Sequence, residues 1–584
     1  MTTSLLQRES FIELDARARA MALLDAHGAR ELLDPFDRIK SPWLPRQGIV
    51  AQADDGVVAA KGRIDGRPAV LLAIDGGYQG GSMGEVGGAK IAAALELAVE
   101  DNERGTPTCA VLLLETGGVR LQEANLGLAA IADIHAALVQ LRRHQPVVGI
   151  IAGPVGCYGG MGIAAGLCSY LIVTREARLG LNGPAVIEQE AGIDEFDSHD
   201  KPFIWSLTGG EQRHGAGLAE EFAADDVAEV RDRLLACLQR GVPARHRSQR
   251  CDGFIGMLER IEPEPVPDPA EMRAMVREAL DAAPGREQAG GRQPAWVQDG
   301  VPASRGAAWL AGLTGHAPML AGFPATVRVV DAPLGEESAR YIAVVPDAGN
   351  RFPRVCNGEM GLEEGWHLAR AIGQCCGQDA ANENDGGAPA HRPGGGIPAR
   401  RRPIVAVLDV PSQAYGRLEE GLGLHQALAA VVDAGAQARL AGHPFIGLIV
   451  GKAISGGFLA LGCQANRLIA LRDPGVQVHA MGKASAARIT QRTVEQLEAL
   501  AAAIPPMAYD IDHYASLGML WQTMQAQDAD RPTAADLSAA QALLREAVAD
   551  IRADPRRDLS SRLAGENRRA SRRVRERMRE LWGG

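Results

Sequence analysis

Two stretches of this 584-residue chain repeat one local grammar, and that repetition constrains the fold more than any other feature. In GIIAGPVGCYGGMGIAAGLCSYLIV the pair Gly159-Gly160 follows an apolar run and precedes Leu171-Ile172. In GLIVGKAISGGFLALGCQANRLIA the pair Gly456-Gly457 precedes Leu468-Ile469 at the same separation. Each reads as buried strand, glycine turn, small-residue helix, strand. Strands that are apolar throughout belong to sheets covered on both faces, so an α/β architecture is expected. Two copies of the pattern point to two related halves.

The remaining sequence extends the alternation. Residues 47–75 read as β, with Asp55-Gly56 and Asp65-Gly66 as hairpin turns. Helical spacing over 84–103 leads to an apolar strand at 109–114, a helix over 124–142, a strand over 146–152 and a small-residue helix over 160–169. In the second half, strands are expected at 340–346, 403–410 and 444–450, with a helix over 418–434. The chain is too long for one core. The Pro-, Gly- and charge-rich runs IEPEPVPDPAEM and APGREQAGGRQPAW place a linker at 283–303, between domains 1–282 and 304–584. Residues 379–402, poor in apolar side chains, read as a loop.

A formal charge of −11 excludes a general nucleic-acid binder, because phosphate binding needs concentrated Lys and Arg. Only the tail ENRRASRRVRERMREL is basic; it reads as a solvated helix laced by Glu-Arg pairs, with docking of an acidic carrier protein as the alternative. None of the nine cysteines forms a CxxC…CxxC pattern, and adjacent Cys375 and Cys376 are poorly placed to bridge distant segments. No metal site and reduced thiols in a cytoplasm are therefore expected. The first residues lack the layout of a signal peptide. The uncharged run from Val147 to Val173 is long enough to span a bilayer, but Pro154 and its glycines divide it, so it reads as buried core rather than membrane.

A Gly-Gly turn between a buried strand and a helix lets a ligand oxygen approach the backbone while the helix start aims unpaired N–H groups at it. That is oxyanion-hole geometry; the alternative is glycine serving close helix–strand packing. GGYQGGSMGEVGGAK (76–90) and ETGGVRLQEAN (115–125) are further glycine clusters. Neither has the Lys-Ser/Thr pair of a phosphate loop or the glycine interval of a dinucleotide fingerprint.

GGSMGEVGGAKI, ETGGVRLQEAN and GLNGPAVIEQ resemble motifs of the β-type carboxyltransferase domain. DVPSQAYGRLEEG, AGHPFIGLIVGKAISGGFLALG and VHAMGKASAARI resemble those of its α-type partner. More closely, order and wording are similar to the β and γ subunits of biotin-independent malonate decarboxylase, joined in one chain from about Phe11 to Trp521. The resemblance implies two crotonase-like domains of ββα superhelical units. It further implies decarboxylation of a malonyl thioester to an acetyl thioester and carbon dioxide. The substrate would ride on the CoA-derived, phosphopantetheine-type arm of a separate acyl carrier protein, with no covalently bound cofactor on this chain. A separate acyl-transferase (α) subunit would load malonate, and a homo-oligomer is compatible.

By the same resemblance the thioester oxyanion falls to Gly160 with its neighbour Gly159, and Gly118 is a second donor beside Gly117. Gly456 and Gly457 would build a facing hole, which holds the biotin carbonyl in biotin-dependent relatives. Here it would orient the departing carboxylate or carbon dioxide. Tyr158, Tyr415, Ser455 or a bound water could protonate the enolate, since each side chain adjoins a glycine turn. Arg120 and Lys90 could meet a carboxylate or pantetheine phosphate, or stay solvated on helix surfaces. Two other functions fit the same motifs. One is the carboxyltransferase component of a biotin-dependent acyl-CoA carboxylase, disfavoured by the absence of cysteine before Cys109 and of a biotinyl segment. The other is a noncatalytic scaffold that binds a carrier protein.

Overall fold

The structure, a computed structural model, describes residues 8–283, 304–385 and 401–583. Nearly all of the expected linker lies outside them, as does the middle of the expected loop 379–402. The helix before that loop continues through Asp385, so its first residues are helical rather than irregular.

The first sheet has seven strands in sequential order: β1 (Arg30–Leu32), β2 (Val57–Ile64), β3 (Arg67–Ile74), β4 (Cys109–Leu113), β5 (Val147–Ile151), β6 (Tyr170–Val173) and β7 (Glu221–Phe222). β2 and β3 form an antiparallel hairpin, and β3 to β7 run parallel. Asp65 and Gly66 close that hairpin with φ of 51° and 74°, the paired positive values of a type I′ turn. Asp55-Gly56 adopts similar angles but joins no paired strands. It ends the loop before β2, because the Asp55 carboxylate is drawn inward to Arg120 and to the Gly87 N–H.

The second sheet repeats the plan with β8 (Val327–Leu334), β9 (Glu337–Val344), β10 (Ile404–Val410), β11 (Phe445–Ile454), β12 (Arg467–Leu471), β13 (Gln477–His479) and β14 (Gln522–Met524). Its order is β14-β12-β11-β10-β9-β8, with β13 against the end of β11. Only the β8–β9 pair is antiparallel.

Helices α1 (Glu85–Glu103), α2 (Ala124–Leu141) and α3 (Gly160–Leu167) serve the first sheet. Helices α4 (Leu362–Asp385), α5 (Leu424–Leu440) and α6 (Ser455–Leu461) serve the second. The helix expected over 418–434 is two helices, Arg417–Gly421 and α5, broken where Gly423 takes φ +85°. The run 147–173 folds as β5, turn, α3 and β6, all buried. Among the described residues one helix, Leu121–Leu141, is long and apolar enough to cross a membrane; 94% of its apolar window is covered by protein.

The halves join along α2, α3 and α5. Gly166 on α3 lies so near α5 that a Cβ there would sit 2.8 Å from the Ala429 Cβ. A buried ion pair, Arg142 with Asp433, crosses the junction, and Ser248 Oγ donates to the same carboxylate at 2.7 Å. Gln464 Nε2 donates to Ala132 O (3.1 Å), and Asn125 Nδ2 to Ala508 O (2.8 Å). Buried polar groups satisfied across a junction select one docking geometry, since any other leaves them unpaired at about 1–3 kcal/mol each.

The tail keeps one exposed face but is docked rather than free. Helix α7 (Arg569–Trp582) lies along α1 of the first half, with Ser571, Val574, Met578 and Trp582 buried on one stripe. Its cations meet carboxylates of this chain: Arg568 with Asp133 (2.6 Å), Arg575 with Asp133 and Glu96 (both 3.0 Å), Arg577 with Asp37 (2.9 Å), and Arg579 with Glu100. The Ser571 N–H and Oγ both donate to Glu85 Oε1 at 2.9 Å. The basic run is therefore a clasp between the two ends of the chain, and few of its charges remain for a partner.

Candidate active site

Both glycine turns open onto one cleft of about 350 Å³ at the junction of the halves. Gly117, Gly159 and Gly160 line it from one side, and Ser455, Gly456 and Leu459 from the other. The echo that aligns Gly159-Gly160 with Gly456-Gly457 is one residue out of register in three dimensions. The residue that bends the chain at the strand end is Gly159 (φ +61°) in the first half and Ser455 (φ +61°) in the second. Gly160 and Gly456 follow these bends and face the cleft, whereas Gly457 is turned away. A Cβ at Gly457 would meet Val410 Cγ1 at 2.7 Å and Ser412 O at 2.9 Å, so this glycine serves packing.

Gly118 and Gly159 bring two strand ends into backbone contact. A Cβ on Gly159 would lie 2.9 Å from the Gly118 Cα, and one on Gly118 3.2 Å from the Gly159 Cα. Only glycine at both positions permits this approach. The N–H groups are then apportioned unevenly. Gly159 donates to Leu181 O (2.7 Å), Tyr158 to Thr116 O (3.0 Å) and Gly117 to Gly80 O (2.9 Å). Gly118 donates to Thr116 Oγ1 at 3.1 Å. Among the described residues no acceptor meets the N–H of Val119 or of Gly160, and both residues line the cleft. The Gly118 N–H, expected as a donor to substrate, is thus engaged within the protein, and the neighbouring Val119 N–H is the one left without an acceptor among the described residues.

Gly160 is pinned from behind by a residue that carries no motif. His135 on α2 is fully buried, and its Nε2 lies 2.8 Å from Gly160 O. A carbonyl only accepts, so Nε2 carries the proton. Burial lowers the imidazolium pKa to about 4, which keeps the ring neutral. Between pH 6.5 and 4 the unfolded chain takes up a proton that the folded chain refuses, so stability falls as the pH drops through this window and is unaffected above it. The slope from this one group is at most about 1.4 kcal/mol per pH unit. Urea midpoints at pH 7, 6 and 5 check this, and His135→Gln should show a shallower decline.

Several expected residues lie elsewhere. Tyr158 is buried beside the first turn without reaching the cleft, and its Oη has no formed hydrogen bond. Burial raises its pKa, with Arg178 opposing. Tyr415 stands behind Ser455; burial and then the Glu190 carboxylate raise its phenol, and the Ser455 hydroxyl opposes the rise. Of the three proposed proton donors only Ser455 lines the cleft.

The two basic residues are neither solvated nor free. Arg120 is 1% exposed and pairs with Asp55 Oδ1 (2.7 Å) and Glu123 Oε2 (2.8 Å). Lys90, on the buried face of α1, donates to Val57 O and Asp54 O, away from the cleft. Burial lowers its pKa to about 8, against Asp54, Glu31 and Asp55. Arg120 is the only cationic side chain in the cleft wall among the described residues, and its charge is already balanced.

No metal site was expected, yet Cys375, Asp379 and His443 bring possible ligand atoms within 4.8 Å of one another. The Asp379 carboxylate is occupied by the Arg402 Nε (2.6 Å) and N–H (2.8 Å), so the group reads as a salt-bridged cap.

Two parallel-sheet units with helix-start amides turned into a shared cleft are the arrangement that the resemblance to crotonase-type carboxyltransferases leads one to expect, with donors placed for a developing oxyanion. Residues 37–296 match the carboxyl transferase domain, and residues 356–582 match the malonate decarboxylase gamma subunit. Malonyl-S-ACP:biotin-protein carboxyltransferase MADC of Malonomonas rubra is 38% identical over 267 residues, 44% of this chain and 83% of that protein. MADD of the same organism, which carries the same enzyme description, is 33% identical over 34% of this chain and 64% of its own length. A chain from a Pseudomonas malonate decarboxylase hetero-tetramer, solved with malonate, is 65% identical, covering 47% of this chain and 100% of that one at a TM-score of 0.46. The chain belongs to the malonate decarboxylase family of carboxyltransferases, with the carboxyl transferase and gamma-type components in one polypeptide.

Proposed function

We propose that the chain decarboxylates malonyl-S-acyl carrier protein to acetyl-S-acyl carrier protein and carbon dioxide. The observation that carries this reading is the pair of amides, Val119 and Gly160, that no acceptor among the described residues engages, in a cleft wall whose described residues offer no free cation. The thioester oxygen accepts from both N–H groups. As the bond between the α-carbon and the carboxylate carbon breaks, its electron pair becomes the enolate and charge moves onto that oxygen, where fixed donors are worth about 3–4 kcal/mol each. Among the described residues the departing carboxylate meets no unpaired guanidinium or ammonium, so its ground state is not stabilised against loss of carbon dioxide. Ser455, or water that it holds, returns a proton to the α-carbon.

The substrate arrives on the phosphopantetheine-type arm of a separate acyl carrier protein, with an acyl-transferase subunit as a further partner and no cofactor bound to this chain. The malonyl-S-ACP named for the relatives and the hetero-tetrameric state of the Pseudomonas enzyme support this setting. The two sheets with their helices act as two domains, 1–282 and 304–584, and the nine free cysteines suit a cytoplasmic enzyme.

Purified chain given malonyl-carrier protein, without biotin, ATP or bicarbonate, should release carbon dioxide and acetyl thioester in equal amounts. Turnover that requires a biotinylated acceptor would establish the carboxyltransferase reading instead. Binding of the carrier protein without turnover would leave only a scaffold.

A further inference from the structure

The turn that aims the Gly160 amide is not held by the first half unaided. Residues 178–182 run beside residues 157–162: Cys157 N–H donates to Arg178 O (2.9 Å), Gly180 N–H to Cys157 O (3.1 Å) and Gly159 N–H to Leu181 O (2.7 Å). A Cβ on Gly162 would lie 2.2 Å from Gly180 O, so glycine there lets this segment press against the first turn of α3. The groups that fix the segment in turn come from the second half.

Glu420, on the helix Arg417–Gly421, is fully buried, and its carboxylate reaches across the junction. Oε2 accepts from Leu181 N–H (3.0 Å) and Oε1 from Asn182 N–H (2.7 Å). Both oxygens accept, which is the bonding of an ionised carboxylate. Burial pushes the Glu420 carboxyl pKa up, and the Asn182 N–H, the Arg213 guanidinium and the Leu181 N–H oppose the rise. Arg213, itself fully buried, donates to Leu179 O (2.9 Å) on one side of the junction and to Glu420 O (2.7 Å) on the other. Gly180 makes room, since a Cβ there would lie 2.6 Å from Glu420 Oε2. The Asn182 side chain is anchored on the same half: its Nδ2 donates to Ala414 O (2.9 Å), and its Oδ1 accepts from Gln413 Nε2 (2.7 Å).

The Leu181 C=O and the Asn182 N–H belong to one planar peptide unit, which Gly159 grips on one edge and Glu420 on the other. Such a unit cannot tilt without breaking one of the two bonds. The carboxylate also polarises the amide, which makes its carbonyl a stronger acceptor for Gly159 N–H.

We propose that Glu420 is a positioning residue of the oxyanion hole: a carboxylate of the second half, acting through the Leu181–Asn182 peptide, fixes the turn that aims Gly160 N–H at the substrate. The inference rests on the decarboxylase reading for its substrate and deepens it, because a donor of one half depends on a charge carried by the other. The first half alone therefore holds an incomplete site.

Glu420→Gln keeps the volume and replaces one acceptor by an NH2 group that faces a backbone N–H. In the full chain, with malonyl-carrier protein, it should lower kcat for carbon dioxide release by about 10–10², part of the 10²–10³ that a lost donor costs, with KM within about twofold. A merely structural role would lower the unfolding midpoint and leave kcat of the folded enzyme unchanged. Acetyl-pantetheine labelled with ¹³C at its carbonyl gives a second readout. Bound to wild type, its resonance should lie downfield of the free thioester, because donated hydrogen bonds polarise the carbonyl; in Glu420→Gln it should return toward the free value. Gly180→Ala, which crowds Oε2 while keeping Glu420, should move kcat and resonance in the same direction, and it decides the matter if Glu420→Gln does not fold. Ser248→Ala removes another buried hydrogen bond across the junction, to Asp433, at the far end of α3 where Arg142 holds both Ser248 Oγ and Leu167 O, and should leave both readouts unchanged. Wild-type kcat in the folded variant, an unmoved resonance, or an equal loss in Ser248→Ala overturns the proposal. Absence of carbon dioxide release by wild type overturns the decarboxylase reading instead, and the resonance then still decides the role of Glu420.

Discussion

Gly159→Ala is expected to lower kcat for carbon dioxide release by about 10²–10³, the cost of losing one oxyanion donor. Gly159 has φ 61° and ψ −146°, a combination open essentially to glycine alone. Its new Cβ would also approach the Gly118 Cα at 2.9 Å, and that atom is backbone that cannot rotate away. The turn must therefore shift, and with it the Gly160 N–H relative to that of Val119. Because the donors act on charge that develops in the transition state, the loss should fall on kcat far more than on KM. Gly482→Ala is the control: its position has ordinary φ (−59°) and nothing within 4 Å of a Cβ, so activity should be unchanged. Full kcat in Gly159→Ala, with folding confirmed by thermal unfolding, would remove the amides from the mechanism. Valine at Gly160 is a poorer probe, because a Cβ there meets Leu459 Cδ2 at 2.7 Å and Ile131 Cγ2 at 2.9 Å, so it disturbs the junction as well as the hole.

Asp133→Ala is expected to reduce apparent unfolding stability by about 3–5 kcal/mol, the range for removing one partner of a buried ion pair. Asp133 is the shared carboxylate of Arg568 and Arg575, and the Asp133 and Arg568 side chains are 6% and 1% exposed. Its loss strands charge between α2 and α7, so the tail helix should also become the first site of proteolysis. Arg577→Ala provides the contrast. Its partnership with Asp37 is about two-fifths exposed on the arginine side and should cost no more than about 1 kcal/mol. Guanidinium denaturation of the three proteins, with limited proteolysis, reads both effects; equal midpoints for Asp133→Ala and Arg577→Ala would mean that the clasp contributes nothing to stability.

Much of the scaffold was legible beforehand. The β4, β5 and β6 segments and helices α1 to α3 lie within two residues of where apolar runs and helical spacing place them. The fold class and the two halves follow from the same patterns, and the family from the resemblance of the quoted motifs. Of the site, Gly117, Gly159, Gly160, Ser455, Gly456 and Arg120 meet in one cleft, while Gly118, Gly457, Tyr158, Tyr415 and Lys90 stand outside it. His135 lies outside every motif, whereas Val119, Asn182 and Gln413 stand inside ETGGVRLQEAN, GLNGPAVIEQ and DVPSQAYGRLEEG without being singled out there. For His135 the one available signal was a polar residue in an otherwise apolar helix, and the chain holds many such residues with purely structural partners.

Most strands and helices of the first half were settled by the sequence alone because each depends on neighbours within a few residues, whereas the Asp55-Gly56 turn and the break at Gly423 were not. Which amide stays free, which cation is neutralised and where the tail docks depend on partners hundreds of positions apart, such as Asn182 with Gln413 or Asp133 with Arg568. Those choices belong to the tertiary structure, because a buried hydrogen bond or charge acquires its value only after packing has removed water and brought a single complementary group within reach.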